Sequence, residues 1–186
     1  GFSPDAGNQI RDVHYGRDSS AFTLFGERFE LPMIGEFNVR NAAMAVSAAH
    51  FYHVPFAEIR KALKSFTGIR RRQEVRGEEG GVTVVDDFGH HPTAIAQTLE
   101  GLRVKFPGAK LWAVFEPRSN TTRRAVFQDV LPQAFSGADG VVLAQVARMD
   151  QLPPDQRLNP EKVVSDLRHA GKAAFYEADT AAIIHR

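Results

Sequence analysis

The chain has 186 residues, a formal net charge of +1 and no cysteine, which excludes a disulfide-stapled scaffold and thiolate metal centres. That charge supplies no global field for nucleic acid or an anionic membrane surface. With 43% hydrophobic and 24% charged residues the composition is that of a globular protein, long enough for one large domain or one domain plus part of another. No run is apolar enough to span a bilayer, and the polar stretch Gly1 to Asp12 lacks a signal-peptide pattern. The expected setting is cytoplasmic, with neither nucleic acid nor a membrane as partner.

Two textures meet near residue 70. Phe22 to Phe25 and Arg28 to Met33, separated by Gly26-Glu27, predict a hairpin. Ala42, Ala43, Val46 and Ala49 recur at helical spacing within a helix expected over about Val39 to Tyr52. Pro55 suits the first turn of a second helix with the stripe Ile59, Leu63 and Phe66, and Gly68 stands where its cap is expected. The pattern then alternates. Val82 to Val85 is a β-branched run, preceded by a turn over Gly77 to Gly81. Pro92 opens a helix with the stripe Ile95, Leu99, Leu102 and Phe106. Leu111 to Phe115 is a strand, Arg123 to Phe135 a helix, and Val141 to Leu143 a strand. Asn159-Pro160 forms an N-cap and first-turn pair for a helix ending at Gly171. Ala173 to Tyr176 is a strand, and Asp179 starts a last helix. This alternation predicts βαβ units and a doubly wound, mostly parallel α/β sheet, with Val82 to Val85 as its first strand.

Ligands of such sheets bind beyond the carboxyl ends of the strands. Asp86-Asp87-Phe88-Gly89-His90-His91-Pro92-Thr93 follows the first strand. It is either a ligand site or a capped structural turn. Adjacent histidines do not readily share a tetrahedral site and no further ligands stand at a recognised spacing, so no metal site is assigned. Glu116 to Thr121, with Arg118, Ser119, Asn120 and Thr121, suits a carboxylate or phosphate, although a plain helix cap explains it as well. Ile69 to Gln73 is a basic run, read either as a solvated linker or as a nucleotide contact. Asn38 and Asn41 stand three apart around a helix start, where one is expected as a cap.

Three segments in this order resemble the Mur ligase family. Gly35-Glu-Phe-Asn38-Val-Arg-Asn41-Ala-Ala-Met-Ala45 is similar to its Asn-x-x-Asn-Ala segment. Gly68-Ile-Arg-Arg71-Arg-Gln73 resembles the junction to its third domain. Val85-Asp-Asp87-Phe-Gly-His90-His91-Pro-Thr93 resembles the opening of that domain. The resemblance implies residues 1–70 as a remnant of the central ATPase domain and 71–186 as a Rossmann-like C-terminal domain, truncated at its end. It implies ATP with Mg2+ and a reaction through an acyl phosphate that the incoming amine displaces. Asn41 would bind adenine with Asn38 in support, Arg71 or Arg72 would reach the nucleotide, and Asp87 would accept from the ribose hydroxyls beside His90. His91, Arg118, Ser119, Asn120 and Thr121 would face the incoming peptide. No Gly-x-x-Gly-Lys-Thr phosphate loop is present, and the magnesium ligands belong to an upstream region. No catalytic residue is therefore assigned, and the chain is expected not to catalyse alone.

Two branches of the family are similar. Phe115-Glu-Pro-Arg-Ser-Asn-Thr121 and Leu152-Pro-Pro-Asp-Gln-Arg-Leu158 resemble the branch that joins UDP-N-acetylmuramate to the recycled tripeptide L-Ala-γ-D-Glu-meso-diaminopimelate. The alternatives are the branch that adds L-alanine and a nucleotide-binding module without chemistry.

Overall fold

A computed structural model describes residues 1–146 and 148–185. The chain divides into two compact units. One comprises Gly1–Phe88 with Glu100–Pro107, the other Gly89–Leu99 with the residues from Gly108 onward. Each unit has its own hydrophobic cluster, and the clusters share no residue.

In the first unit, β1 (Arg11–Tyr15), β2 (Ser20–Leu24) and β3 (Glu27–Leu31) form an antiparallel sheet in that order. The predicted hairpin is β2–β3. Its tight turn runs through Phe25 (φ 56°) and Gly26 (φ 78°), the left-handed pair that lets two strands reverse without splaying. The edge strand β1 was not predicted. It is polar and largely exposed, and its pairing is irregular between Arg11 and His14. Helix α1 (Glu36–Phe51) lays Val39, Ala42, Ala43 and Val46 on Phe22, Leu24, Phe29 and Leu31. It starts three residues before the predicted helix. Gly35 (φ 92°) is its N-cap, so neither Asn38 nor Asn41 caps it. Helix α2 (Phe56–Lys64) buries Ile59. Pro55 is its N-cap rather than its first turn, and the helix stops at Ser65, before Phe66 and Gly68.

Strands β4 (Glu74–Glu79) and β5 (Val82–Asp86) pair antiparallel across Gly80-Gly81 as a separate two-stranded sheet. This corrects the expectation that Val82 to Val85 opens the parallel sheet. Alternation within a strand shows that it is extended but does not choose its partner, and here the partner is the preceding run through Gly77. Helix α3 (Pro92–Lys105) contributes its first half to the second unit and its last turns to the first.

The second unit holds the parallel sheet, in the order β6 (Trp112–Phe115), β7 (Gly140–Ala144), β8 (Ala173–Glu177). The fold is mixed α/β, with this parallel sheet as its Rossmann-like part. Phe115, Val141, Leu143 and Ala174 pack with Ile95 and Leu99 of α3, with Leu131 and Ala134 of α4 (Leu131–Ala134), and with Val163, Val164 and Leu167 of α5 (Pro160–His169). A last short helix, α6 (Thr180–Ile184), follows β8. Asn159 caps α5 through Oδ1, which accepts the Lys162 N–H at 2.9 Å, and Asp179 caps α6 by accepting from Ala182 at 2.8 Å. Both caps follow the sequence. The helix predicted over Arg123 to Phe135 is instead a single 3-10 turn, Ala125–Phe127, and the short α4. Pro132 has no N–H to continue a longer helix and is tolerated only in a first turn, where it sits. No described helix is long and apolar enough to cross a membrane.

Candidate functional site

The linker Ile69 to Glu74 carries the most unusual backbone of the first unit. Arg71 (φ 59°) and Gln73 (φ 51°) both occupy the left-handed region, which costs a non-glycine residue about 1 kcal/mol or more. Two carboxylates hold them there. The Arg71 N–H donates to Glu74 Oε2 at 2.8 Å, and the Gln73 N–H donates to Asp87 Oδ2 at 3.0 Å. The hydrogen bond from the Arg71 N–H, aided by Arg76, lowers the pKa of the Glu74 carboxyl. The Phe88 N–H donates in turn to the Arg71 carbonyl at 2.7 Å. The linker is thus tied to the residues just after β5.

Around this tie the side chains converge. The Arg71 and Arg72 guanidinium carbons lie 5.2 and 5.7 Å from the centroid of the Phe88 ring, and Arg71 Nε stands 3.4 Å from Asp86 Oδ2. Asn38 is buried in α1, where Nδ2 donates to the Ile34 carbonyl at 2.7 Å and stands 3.5 Å from Gln73 Oε1. Gln73 Nε2 is buried and has no hydrogen-bond partner among the described residues. An uncompensated donor of this kind costs about 1–3 kcal/mol unless something accepts from it. Asn41 is exposed, three residues further along the helix. A cavity of about 410 Å3 opens beside Gln73 and Arg72 and is also lined by Arg70 and Lys105, but not by Asn41 or Asp87.

The remaining candidates belong to the second unit. His90 and His91 are exposed. His91 Nδ1 accepts from the Thr93 N–H at 3.3 Å, and its ring meets Phe127 edge-on with centroids 5.0 Å apart. Beyond β6, Ser119 and Thr122 brace each other: the Ser119 N–H donates to Thr122 Oγ1 at 3.0 Å, and the Thr122 N–H donates to Ser119 Oγ at 3.1 Å. Arg118, Asn120 and Thr121 are exposed at the surface of this turn. Among the described residues no hydrogen bond or ion pair engages Arg118.

Sequence reasoning passed over Arg123, which organises this edge of the sheet. Its side chain is 7% exposed. One terminal nitrogen donates to Asn120 Oδ1 at 2.7 Å, the other to the Arg148 carbonyl at 3.1 Å, and its own carbonyl accepts from the Leu158 N–H at 2.9 Å. The loops after β6 and β7 are therefore joined through one guanidinium. It also passed over Gln73 and Phe88 as site residues. The only hint was their place beside Arg72 and Asp87, since left-handed backbone at Arg71 and Gln73 leaves no trace in residue type.

The sequence and the fold both match known proteins. The family described as Mur ligase, glutamate ligase domain, matches residues 71–186, and the chain belongs to the Mur ligase family. The members of this family are ATP-dependent, amide-bond-forming ligases. The chain is 48% identical over 118 residues to the UDP-N-acetylmuramate–L-alanyl-γ-D-glutamyl-meso-2,6-diaminoheptandioate ligase of Escherichia coli, covering 63% of this chain and 26% of that protein. It is 37% identical over 182 residues to the UDP-N-acetylmuramate–L-alanine ligase of Desulfosudis oleivorans, covering 95% of this chain and 39% of that protein. A crystal structure of a murein peptide ligase from Psychrobacter arcticus superposes with a TM-score of 0.67 at 28% identity, over 97% of this chain and 38% of that one. The chain thus spans about a quarter to two fifths of the length of these relatives.

Proposed function

We propose that this chain supplies the adenosine-binding and amine-handling parts of an ATP-dependent ligase that joins UDP-N-acetylmuramate to the tripeptide L-alanyl-γ-D-glutamyl-meso-2,6-diaminoheptandioate. Residues 1–70 are the end of a central ATPase domain and residues 71–186 the C-terminal domain, and the enzyme works in the cytoplasm. The observation that carries the nucleotide half is the convergence of Asn38, Gln73 and Asp87 on the strained linker.

The residues present fit adenosine. The Gln73 side chain stands beside the cavity, and Asp87, an acceptor when ionised, suits the paired ribose hydroxyls. Asn41 and Asn38 lie on the adenine side, and Arg71 and Arg72 supply positive charge towards the phosphates. ATP, when bound, supplies the phosphoryl group that activates the muramyl carboxylate. Magnesium is expected with it. Among the described residues no group of three His, Cys, Asp or Glu side chains stands together to hold a metal, so no step is assigned here to one.

The braced edge beyond β6 handles the amine. The reciprocal bonds of Ser119 and Thr122 fix the turn, so that Arg118 projects from a rigid support towards a carboxylate of the incoming peptide. Asn120, held by Arg123, together with Thr121 and His91, completes that face.

The tripeptide reading rests on the 48% identity to the Escherichia coli enzyme. A second reading, with L-alanine as acceptor, rests on the match over 95% of the chain to the Desulfosudis oleivorans enzyme. The test uses the full-length product of the reading frame that encodes this chain. Phosphate release from ATP is followed with UDP-N-acetylmuramate and either tripeptide or L-alanine. Preferential turnover of tripeptide is the expected result, and preferential turnover of L-alanine selects the second reading.

A further inference from the structure

A second cavity, about 340 Å3 in volume, opens at the carboxyl ends of β7 and β8, where ligands of parallel sheets bind. Its size lies within the range of small-molecule sites, about 300–1,000 Å3. Val146, Met149 and Pro160 give it apolar walls, and Arg157, Glu161 and Tyr176 give it polar groups. Arg157 Nε donates to the Leu152 carbonyl at 2.8 Å, which fixes the guanidinium at the cavity wall. Glu161 stands in the first turn of α5. The phenol of Tyr176 is raised in pKa by burial and by the neighbouring charge of Glu161. One cation, one anion and a phenol over an aliphatic floor fit a zwitterionic head on an alkyl stem.

We infer that this cavity holds the distal end of the diaminoheptandioate residue, with Glu161 receiving its ammonium, Arg157 its carboxylate and Met149 its methylene chain. The inference rests on the tripeptide reading and deepens it, because it names the residues that separate a tripeptide acceptor from a shorter one. The connection runs through Arg123. That guanidinium ties Asn120, beside Arg118, to the carbonyl of Arg148, the neighbour in sequence of Met149 in the cavity wall, and Leu158, also in that wall, donates to the Arg123 carbonyl. The face that meets the reacting end of the peptide and the cavity that takes its far end are parts of one braced edge.

Two measurements separate failure of this inference from failure of the tripeptide reading. In the first, free meso-2,6-diaminoheptandioate is titrated into the 186-residue chain and amide signals are followed by NMR. Signals of Val146, Met149, Glu161 and Tyr176 shift, and the shifts are lost in Glu161→Gln. Shifts elsewhere, an unaltered response of Glu161→Gln, or no shift at millimolar ligand overturns the inference whatever the enzyme's acceptor. In the second, the full-length product is assayed with tripeptide and with the dipeptide L-alanyl-γ-D-glutamate. Glu161→Gln lowers the tripeptide-to-dipeptide ratio of kcat/KM about tenfold. An unchanged ratio overturns the inference. A preference for L-alanine over both peptides in the unaltered enzyme overturns the tripeptide reading instead.

Discussion

Asp87 has one observed role and one proposed role. It accepts from the Gln73 N–H and so pins a left-handed residue, and it is the group proposed to receive ribose hydroxyls. Removing it therefore affects both the linker and the ligand. ADP should bind the chain weakly, near the millimolar range or about −4 kcal/mol, because the β-phosphate finds little to hold it here. Asp87→Asn keeps an acceptor for Gln73 but removes the charge. It should weaken ADP binding about tenfold in calorimetry while leaving urea unfolding nearly unchanged. Equal affinity in the two proteins removes Asp87 from the ribose site. Tyr176 offers a test by pH. Burial is the main cause of its raised pKa and Glu161 the next, while a hydrogen bond with the Val146 backbone acts in the opposite direction. The folded state therefore holds the phenolic proton more tightly than the unfolded chain does. The resulting stability is complete below the unfolded value of about 10 and is lost as pH rises through the folded one. Between about pH 9 and pH 11, Tyr176→Phe should lose less stability than the parent chain in urea unfolding.

At the level of elements, the central strand β7 begins with Gly140 because no side chain fits there. A Cβ at this position would stand 2.6 Å from the Trp112 ring, which stacks across the strand on Phe175 at 6.3 Å and 11°. The Arg168 guanidinium adds a contact 5.8 Å from the Phe175 centroid. Gly140→Ala should destabilise the second unit by about 1–3 kcal/mol, the usual cost of overpacking. Trp112 is the only tryptophan, so its fluorescence reports the displacement directly. In the double variant Gly140→Ala, Trp112→Ala the penalty should largely vanish relative to Trp112→Ala alone. A penalty that persists there would place the strain in the backbone of β7 rather than against the indole.

For the whole molecule, the decisive question is which acceptor the enzyme uses. Arg118 is exposed on a turn that Ser119 and Thr122 hold rigid, so its loss should leave the fold intact. In the full-length product, Arg118→Ala should raise KM for the peptide acceptor about thirtyfold or more, equivalent to about 2 kcal/mol, and leave KM for ATP nearly unchanged. A parallel loss for both substrates, matched by less folded protein, would reduce Arg118 to a brace. Helix α1 adds a separate feature at this scale. It buries Val39 and Val46 on one side, yet leaves Met44 and Phe51, with Tyr52 at its C-cap, more than two thirds exposed.

Much of this was already written in the order of residues. The hairpin around Gly26, the helix behind Asn159-Pro160 and the strands at Trp112, Val141 and Ala173 were each legible. Their signals lie in side-chain period and in caps that reach only three or four residues along the chain. The family resemblance was legible for the same reason, since Asp87, His90 and His91 stand in one continuous string. What only the tertiary structure decided is what depends on partners far away in sequence. Val82 to Val85 declared itself a strand, but its pairing with β4 rather than with the parallel sheet is a choice between distant edges. Arg123 read as one helical residue among many until folding placed Asn120 and the Arg148 carbonyl against it. Gln73 is held in the left-handed region by Asp87, which folding brought close enough to accept its N–H, while Arg71 is held there by its near neighbour Glu74. Local propensity at those two positions opposes that conformation, and the hydrogen bonds to two carboxylates outweigh it.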